Sequence, residues 1–125
     1  MDLKLKIRHG KPGVLTLLPV GPINNETSSA FDRQISGLLG EPIRMLVLDM
    51  GGVNFVSSRG VGAIAKAKAE LKKAGAELAI VNAQPQVKKV FEIMSLLPSL
   101  NVFGDTEELD EYLAKVQRRI TEEEE

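Results

Sequence analysis

The sequence predicts one α/β domain, with a mixed β-sheet flanked by about four helices. Apolar runs of strand length alternate with segments of helical periodicity over the 125 residues, in the order β-β-α-β-α-β-α-β-α. Glycine or proline stands near most of the boundaries, and no stretch is long enough to link two domains. Strands that alternate with helices pair in parallel through right-handed crossovers, so only the first two strands are expected to pair antiparallel.

The N-terminal segment predicts a β-hairpin. Leu3–Ile7 alternates apolar and charged residues, as a half-buried strand does, and Val14–Val20 is the second strand. The intervening RHGKPG predicts a turn that contains the one histidine of the chain, His9, as an ordinary surface residue. Pro19 cannot donate a backbone hydrogen bond, so it indicates a sheet edge or the point where the strand leaves the sheet.

The first helix follows the loop GPINNETSS. Asn24 or Asn25 can cap it by accepting a hydrogen bond from an otherwise unpaired backbone N–H. Gly40 is expected to end it in the left-handed conformation that glycine tolerates best. The residues between them place one apolar stripe on the helix, which consists of Phe31, Ile35, Leu38 and Leu39.

A buried strand and a helix with a stripe of small residues come next. Met45–Met50 is almost wholly apolar, which is typical of a strand covered on both faces. The helical pattern then runs from Gly60 to Ala74, and Gly75 ends it. Small residues on the stripe allow this helix to lie close to the sheet. The stripe is Gly60, Ile64, Ala67, Leu71 and Ala74, and the polar side is Lys66, Glu70, Lys72 and Lys73.

The remaining chain predicts two more strands and two more helices. Ala76–Val81 is a strand, Pro85 suits the first turn of a helix, and a short strand surrounds Val102. Asp105 with Glu108 resembles a capping box at the start of the last helix. The two helical stripes are Val87, Val90, Phe91 and Met94, then Leu109, Tyr112, Leu113 and Val116. The domain is therefore expected to span residues 1–118, and residues 119–125 form an acidic tail.

Composition argues against several classes of function. There is no cysteine, so the chain has no disulfide and no thiolate metal site, and its single histidine excludes multi-histidine metal sites. The net charge is −1 and becomes +3 without the terminal EEEE, which is too little for a basic nucleic-acid face. No apolar run reaches the roughly 18 residues of a membrane span, and the polar N-terminus is unlike a signal peptide. A cytoplasmic, non-enzymatic protein with no cofactor or metal is expected.

The stretch VNFVSSRGVGAI, from Val53 to Ile64, carries the candidate site. Its RGVG lacks the full glycine pattern of a nucleotide loop, and a nucleophilic serine would need a nearby histidine base. Ser57 and Ser58 fall at a helix N-terminus, where serine is a preferred cap worth about 1 kcal/mol. A phosphate on either serine would also be stabilised there, by unpaired N–H groups, the helix dipole and the Arg59 guanidinium. Cap and phosphorylation switch both stay open at this point.

Four blocks of the sequence are similar to one known family: VLTLLPVGPIN, LVLDMGGVNFVSSRGVG, KKAGAELAIVNAQPQVKKVFEI and FGDTEEL. They resemble the STAS domain, which bacterial anti-sigma factor antagonists share with the tails of sulfate transporters, and the resemblance extends from about Leu3 to Val116. The family motif D-S-S-G-L-G has its second serine phosphorylated by an anti-sigma kinase. Without a gap, Ser57 stands at the aspartate, Ser58 at the first serine and Arg59 at the acceptor position.

The resemblance implies a regulatory protein-binding domain. Its role would be that of an anti-sigma factor antagonist, which binds an anti-sigma factor of the histidine-kinase-like, serine-kinase ATPase type and so controls sigma-factor-dependent transcription. It implies phosphorylation at Ser58 or, as a second choice, at Ser57. The implied partner-binding residues are Asn24, Ser57, Ser58, Arg59, Gly60 and Val61, with the exposed side of the next helix, including Lys66 and Lys68. Two alternatives stay open: a STAS scaffold without phosphorylation, and a STAS subunit of a lipid-transport ABC system that docks on an ATPase.

Overall fold

One five-stranded sheet forms the centre of the computed structural model, which describes residues 3–40, 42–93, 101–103, 107–112 and 114–115. β1 pairs antiparallel with β2, and the three following pairs are parallel. The predicted mixed sheet is therefore confirmed. The strands follow the chain order across the sheet and are β1 (Lys4–His9), β2 (Val14–Val20), β3 (Met45–Asp49), β4 (Glu77–Val81) and β5 (Asn101–Phe103).

A helix joins each parallel pair of strands, and a further helical segment follows β5. The helices are α1 (Ser28–Leu38), α2 (Ser58–Lys73), α3 (Pro85–Ile93) and α4, which consists of the helical residues 107–112 and 114–115. The element order is the predicted one. Because β2, β3 and β4 run in the same direction, the loops that lead into α1, α2 and α3 leave the sheet at the same end.

The two faces of the sheet are covered differently. The main core lies on the face of α1, α2 and α3, and includes Leu15, Leu17, Leu46, Leu48, Leu78 and Ile80 from the strands and Phe31, Ile35, Ile64, Leu71 and Phe91 from the helices. A smaller cluster lies on the face of α4 and consists of Met45, Val47, Ala79, Val81 and Leu109. The first four residues of β3 are all buried, which confirms the prediction of a strand covered on both faces.

One prediction for the hairpin is wrong, and the structure decides between the two alternatives for Pro19. β1 continues to His9, so the histidine is the exposed last residue of a strand and does not lie in the turn. Pro19 lies in β2, which pairs on both sides, so it does not mark a sheet edge. It marks the exit from the sheet instead, because regular pairing between β2 and β3 stops at Leu17 and only isolated bridges follow.

The predicted left-handed end of the first helix is wrong. Leu39 follows α1 with a right-handed φ of −67°, and its N–H still bonds to the Ile35 carbonyl. Gly40 is not among the described glycines with a positive φ, which are Gly13, Gly21 and Gly75. The chain therefore leaves α1 without the reversal that glycine would allow.

The second helix begins earlier than its apolar pattern suggests. α2 starts at Ser58, two residues before the predicted Gly60, because the polar start of a helix carries no apolar residue that a periodicity could detect. At the other end Ala74 follows the last turn and is exposed, so it does not belong to the buried stripe. Gly75 has a φ of +79° and ends the helix as predicted.

The C-terminal predictions are only partly covered by the described residues. The short strand around Val102 is confirmed as β5, Leu109 is buried and Tyr112 is half-buried. The other positions lie outside the described residues, and they are Met94, Asp105, Leu113, Val116 and the tail 119–125.

Candidate functional site

Two loops at one end of the sheet run side by side and lead into α1 and α2. We name them the α1 entrance (residues 21–29) and the α2 entrance (residues 51–59). The Gly21 N–H donates to the Gly52 carbonyl at 3.0 Å. The Ile23 N–H donates to the Phe55 carbonyl, and the Ser57 N–H donates back to the Ile23 carbonyl, both at 2.9 Å. These bonds continue the pairing of β2 with β3 and hold the two entrances in one fixed arrangement.

The two serines of the α2 entrance have different roles. Ser57 is the N-cap of α2, with extended backbone angles of φ −80° and ψ 170°. Its Oγ accepts a hydrogen bond from the Gly60 N–H at 3.1 Å. Ser58 is the first residue of the helix and is exposed, and its hydroxyl makes no hydrogen bond to a described residue. The cap is therefore Ser57, and the chemically available hydroxyl is that of Ser58.

Gly60 holds α2 against the α1 entrance by close approach. A Cβ at this position would lie 2.5 Å from the Ile23 carbonyl oxygen, 2.9 Å from Ile23 Cγ2 and 3.0 Å from Val56 Cγ1. Val61 is also buried, with 1% of its surface exposed. Two of the six predicted partner-binding residues, Gly60 and Val61, thus offer no exposed side chain, because they form the buried side of the helix start.

The polar groups of the α1 entrance are paired with one another. Asn24 Oδ1 accepts from the N–H groups of Glu26 and Thr27, at 2.9 and 3.0 Å. Thr27 Oγ1 accepts from the Asn24 N–H at 2.9 Å and donates to the Pro22 carbonyl at 2.8 Å. Asn24 therefore organises a turn immediately before α1, whose N-cap residue is Thr27 and has no side-chain cap bond. Asn24 supports this loop and is only half-exposed.

An open groove of about 530 Å³ separates the starts of α1 and α2. Lys66 bridges the two helices, because its Nζ lies 3.0 Å from Asp32 Oδ2 and 3.9 Å from Glu70 Oε1. The hydrogen bond and charge of Asp32, with the charge of Glu70, raise the pKa of Lys66 above its ordinary value. The groove is lined by Ser28, Ser29, Asp32, Ser58, Arg59, Gly62, Ala63 and Lys66. Arg59 is exposed and has no carboxylate partner among the described residues.

Amide side chains from the loop after β4 and from the first turn of α3 support the α2 entrance. Gln84 Nε2 donates to the Gly51 carbonyl at 2.9 Å, and Gln86 Nε2 lies 3.5 Å from the Asn54 carbonyl. Asn82, with a left-handed φ of +59°, donates from Nδ2 to Asp49 Oδ1 at 3.2 Å. These residues were not predicted from the sequence, although three amides in the five residues after a buried strand were a detectable signal.

Phe55 is the second feature that sequence reasoning missed. It is 52% exposed, although Val53 and Val56 beside it are 0% and 3% exposed. Its apolar character alone suggested no role, since it lies in an apolar run that directly follows a buried strand.

The described ranges contain neither a metal-binding group nor a membrane-spanning helix. No three His, Cys, Asp or Glu side chains lie together there in a way that could hold a metal ion. No helix in those ranges is both long and apolar enough to cross a membrane.

Comparisons with known proteins identify the family of the chain. The family model of the STAS domain matches residues 7–109. BtrV of Bordetella bronchiseptica, named as a candidate anti-sigma factor antagonist, is 26% identical over 92 residues, which are 71% of this chain and 79% of BtrV. A solved anti-sigma factor antagonist from Mycobacterium paratuberculosis superposes with a TM-score of 0.78 at 20% identity, covering 93% of this chain and 95% of that one. Phosphorylated SpoIIAA of Bacillus superposes with a TM-score of 0.67 at 17% identity, covering 87% and 99%.

Proposed function

The chain belongs to the STAS domain family, and we propose that it is a cytoplasmic anti-sigma factor antagonist. It binds a serine-kinase-type anti-sigma factor, and phosphorylation of Ser58 controls that binding and thereby sigma-factor-dependent transcription. The observation that carries the proposal is the exposed, unpaired hydroxyl of Ser58 on a rigid helix entrance. The relative BtrV and the phosphorylated form of SpoIIAA support the class of protein and the kind of switch.

Ser58 suits phosphorylation better than Ser57 for a structural reason. A phosphate on Ser57 would esterify the Oγ that accepts from the Gly60 N–H and caps α2, which makes that oxygen a weaker acceptor. A phosphate on Ser58 leaves that cap intact and lies in the first turn of the helix, where the dipole favours negative charge. It also adds about −1.5 to −2 charges next to the Arg59 guanidinium. The entrance then changes from cationic to anionic, which weakens binding to a surface that had fitted the cation.

Mass spectrometry tests the modification directly. The protein is isolated from its native cells, and the tryptic fragment Met45–Arg59 is analysed under several growth conditions. Phosphate on Ser58 is the expected result. Phosphate on neither serine under any condition contradicts the switch and favours the unphosphorylated scaffold.

Binding measurements test the partner. We expect a purified serine-kinase-type anti-sigma factor from the same organism to bind the wild-type chain, and Ser58→Asp to raise the Kd about tenfold or more because it introduces a negative charge at the contact. Ser36→Asp is the matched control, since Ser36 is another exposed helical serine, farther along α1 from the entrances. If no such anti-sigma factor binds the wild type, the function is wrong. If binding is tight but Ser58→Asp leaves it unchanged, the function stands and the switch at Ser58 is wrong.

A further inference from the structure

Phe55 is exposed on a loop whose other large apolar residues are buried. Val53 and Val56 point into the core, whereas 52% of Phe55 is accessible, more than the other exposed large apolar residues, Ile7 at 39% and Val20 at 43%. Packing within the chain therefore covers less than half of this aromatic residue. An exposed aromatic residue on a folded surface indicates a contact with another molecule more often than a lysine or glutamate would.

The backbone around Phe55 is fixed from both sides. Its own carbonyl accepts from the Ile23 N–H at 2.9 Å. On the other side, Gln84 binds the Gly51 carbonyl at 2.9 Å and Gln86 lies 3.5 Å from the Asn54 carbonyl. A contact residue on a preorganised loop binds more tightly, because less conformational entropy is lost on association.

The charges near the serines indicate where the interface is centred. Lys66 on α2 already pairs with Asp32 and Glu70 of this chain, so its charge is partly neutralised. Arg59 is exposed and has no carboxylate partner in the described part of the chain. Arginine and aromatic residues dominate the energetic centres of protein interfaces, and an unpaired guanidinium fits a carboxylate on the partner.

We propose that Phe55 is the apolar anchor of the partner interface, and that the anti-sigma factor presents an apolar pocket for it beside a carboxylate that pairs with Arg59. This inference rests on the proposed function. It adds Phe55 to the predicted contact residues of the α2 entrance and removes Lys66 and Lys68, on the exposed side of α2, from the predicted interface. The free Ser58 hydroxyl then lies between the two anchors along the chain, where a phosphate would disturb both.

Alanine substitution tests the anchor, with the anti-sigma factor that binds the wild-type chain as the probe. We expect Phe55→Ala to raise the Kd about 30-fold or more, the effect of losing an interface hot spot. Ile7→Ala is the matched control, because Ile7 is also an exposed large apolar residue but lies on the edge strand β1. We expect it to change the Kd less than about threefold. Urea unfolding of both variants shows that the fold is retained.

Charge substitution tests the second half of the inference. We expect Arg59→Gln to lower the association rate and to reduce its dependence on salt, and Lys68→Gln to change neither. A Kd within threefold of wild type for Phe55→Ala overturns the anchor while leaving the proposed function in place. A wild-type chain that binds no serine-kinase-type anti-sigma factor overturns the proposed function and the anchor together.

Discussion

Both α1 and α2 have a hydroxyl residue at the N-cap and a serine as the first helical residue, but the two entrances leave different hydroxyl groups exposed. At the α1 entrance Thr27 and Ser28 are buried, and the polar groups of Asn24 and Thr27 bond to each other and to the backbone. At the α2 entrance one serine caps the helix and the next is exposed without a bond. Ser28 and Ser58 are each the first residue of their helix, so the packing around each helix start, rather than residue type or position relative to the cap, decides which serine is available for modification.

The charges beside the exposed serines also differ between the entrances. Ser29 of the α1 entrance is exposed, but it precedes Asp32 by one helical turn. Ser58 of the α2 entrance is followed directly by Arg59. A phosphate on Ser58 therefore has a cation as its chain neighbour, whereas a phosphate on Ser29 would lie within about one helical turn of both the Asp32 carboxylate and the Arg33 guanidinium. The α1 entrance supports the α2 entrance, because the Ile23 backbone hydrogen-bonds to Phe55 and Ser57.

The largest expected effect comes from breaking the contact between the entrances. Gly60→Ala places a methyl group 2.5 Å from the Ile23 carbonyl oxygen, so the helix start or the α1 entrance must shift. Because the obstructing atom belongs to the backbone, we expect the free energy of unfolding to fall by about 3 kcal/mol. Urea denaturation followed by circular dichroism measures this change.

Gly62→Ala is the matched control for that substitution. Gly62 lies in the same helix, is exposed, and has no atom within 4 Å of the position of an added Cβ. We expect a gain of about 0.5–1 kcal/mol, because alanine reduces the entropy of the unfolded chain and favours the helix. Equal stabilities for the two variants would contradict the close approach at Gly60.

The sequence predicted the fold better than the site, because secondary structure depends on residues close together in the sequence and the site depends on contacts between residues far apart in it. Strand and helix periodicities are local, so the element order, the doubly covered β3 and the end at Gly75 could be predicted. The close approach of Gly60 depends on Ile23, and the pairing of Lys66 depends on Asp32, 34 residues away. The small residues of the α2 stripe predicted a close approach at Gly60, but no local pattern contains either pair, so neither partner could be predicted.

The roles of Ser57 and Ser58 can be assigned only when the first residue of α2 is known. The apolar stripe placed that start at Gly60, whereas the helix begins two residues earlier. Ser57 is therefore the N-cap, and Ser58 is the first residue of the helix and does not cap it. Phe55 was missed for a related reason. Whether an apolar loop residue is buried depends on the direction in which the loop turns, and the backbone bonds of Ile23 set that direction here.

The hydroxyl of Thr27 carries the next largest expected effect. Thr27→Val keeps the shape of the side chain but removes the acceptor of the Asn24 N–H and the donor to the Pro22 carbonyl. Thr27 is 8% exposed, so water replaces these partners poorly. We expect the free energy of unfolding to fall by about 2 kcal/mol, measured by urea denaturation.

Thr16→Val provides the control for Thr27. Thr16 is half-buried in β2, its hydroxyl makes no hydrogen bond to a described residue, and valine suits a strand. We expect this substitution to be neutral or slightly stabilising. A loss at Thr16 as large as that at Thr27 would show that the α1 entrance is not specially dependent on its hydroxyl bonds.

The smallest effect separates the two serines that the sequence left undecided. Ser57→Ala removes the acceptor of the Gly60 N–H at the start of α2, so we expect a loss of about 1 kcal/mol in the free energy of unfolding. Ser58→Ala removes an exposed hydroxyl without a partner, so we expect a change of less than about 0.5 kcal/mol. Thermal and urea unfolding of both variants measure the difference. A greater loss for Ser58→Ala would reverse the two roles, and the phosphorylation proposal would then have to move to Ser57, because a serine that caps the helix is the less available of the two for a kinase.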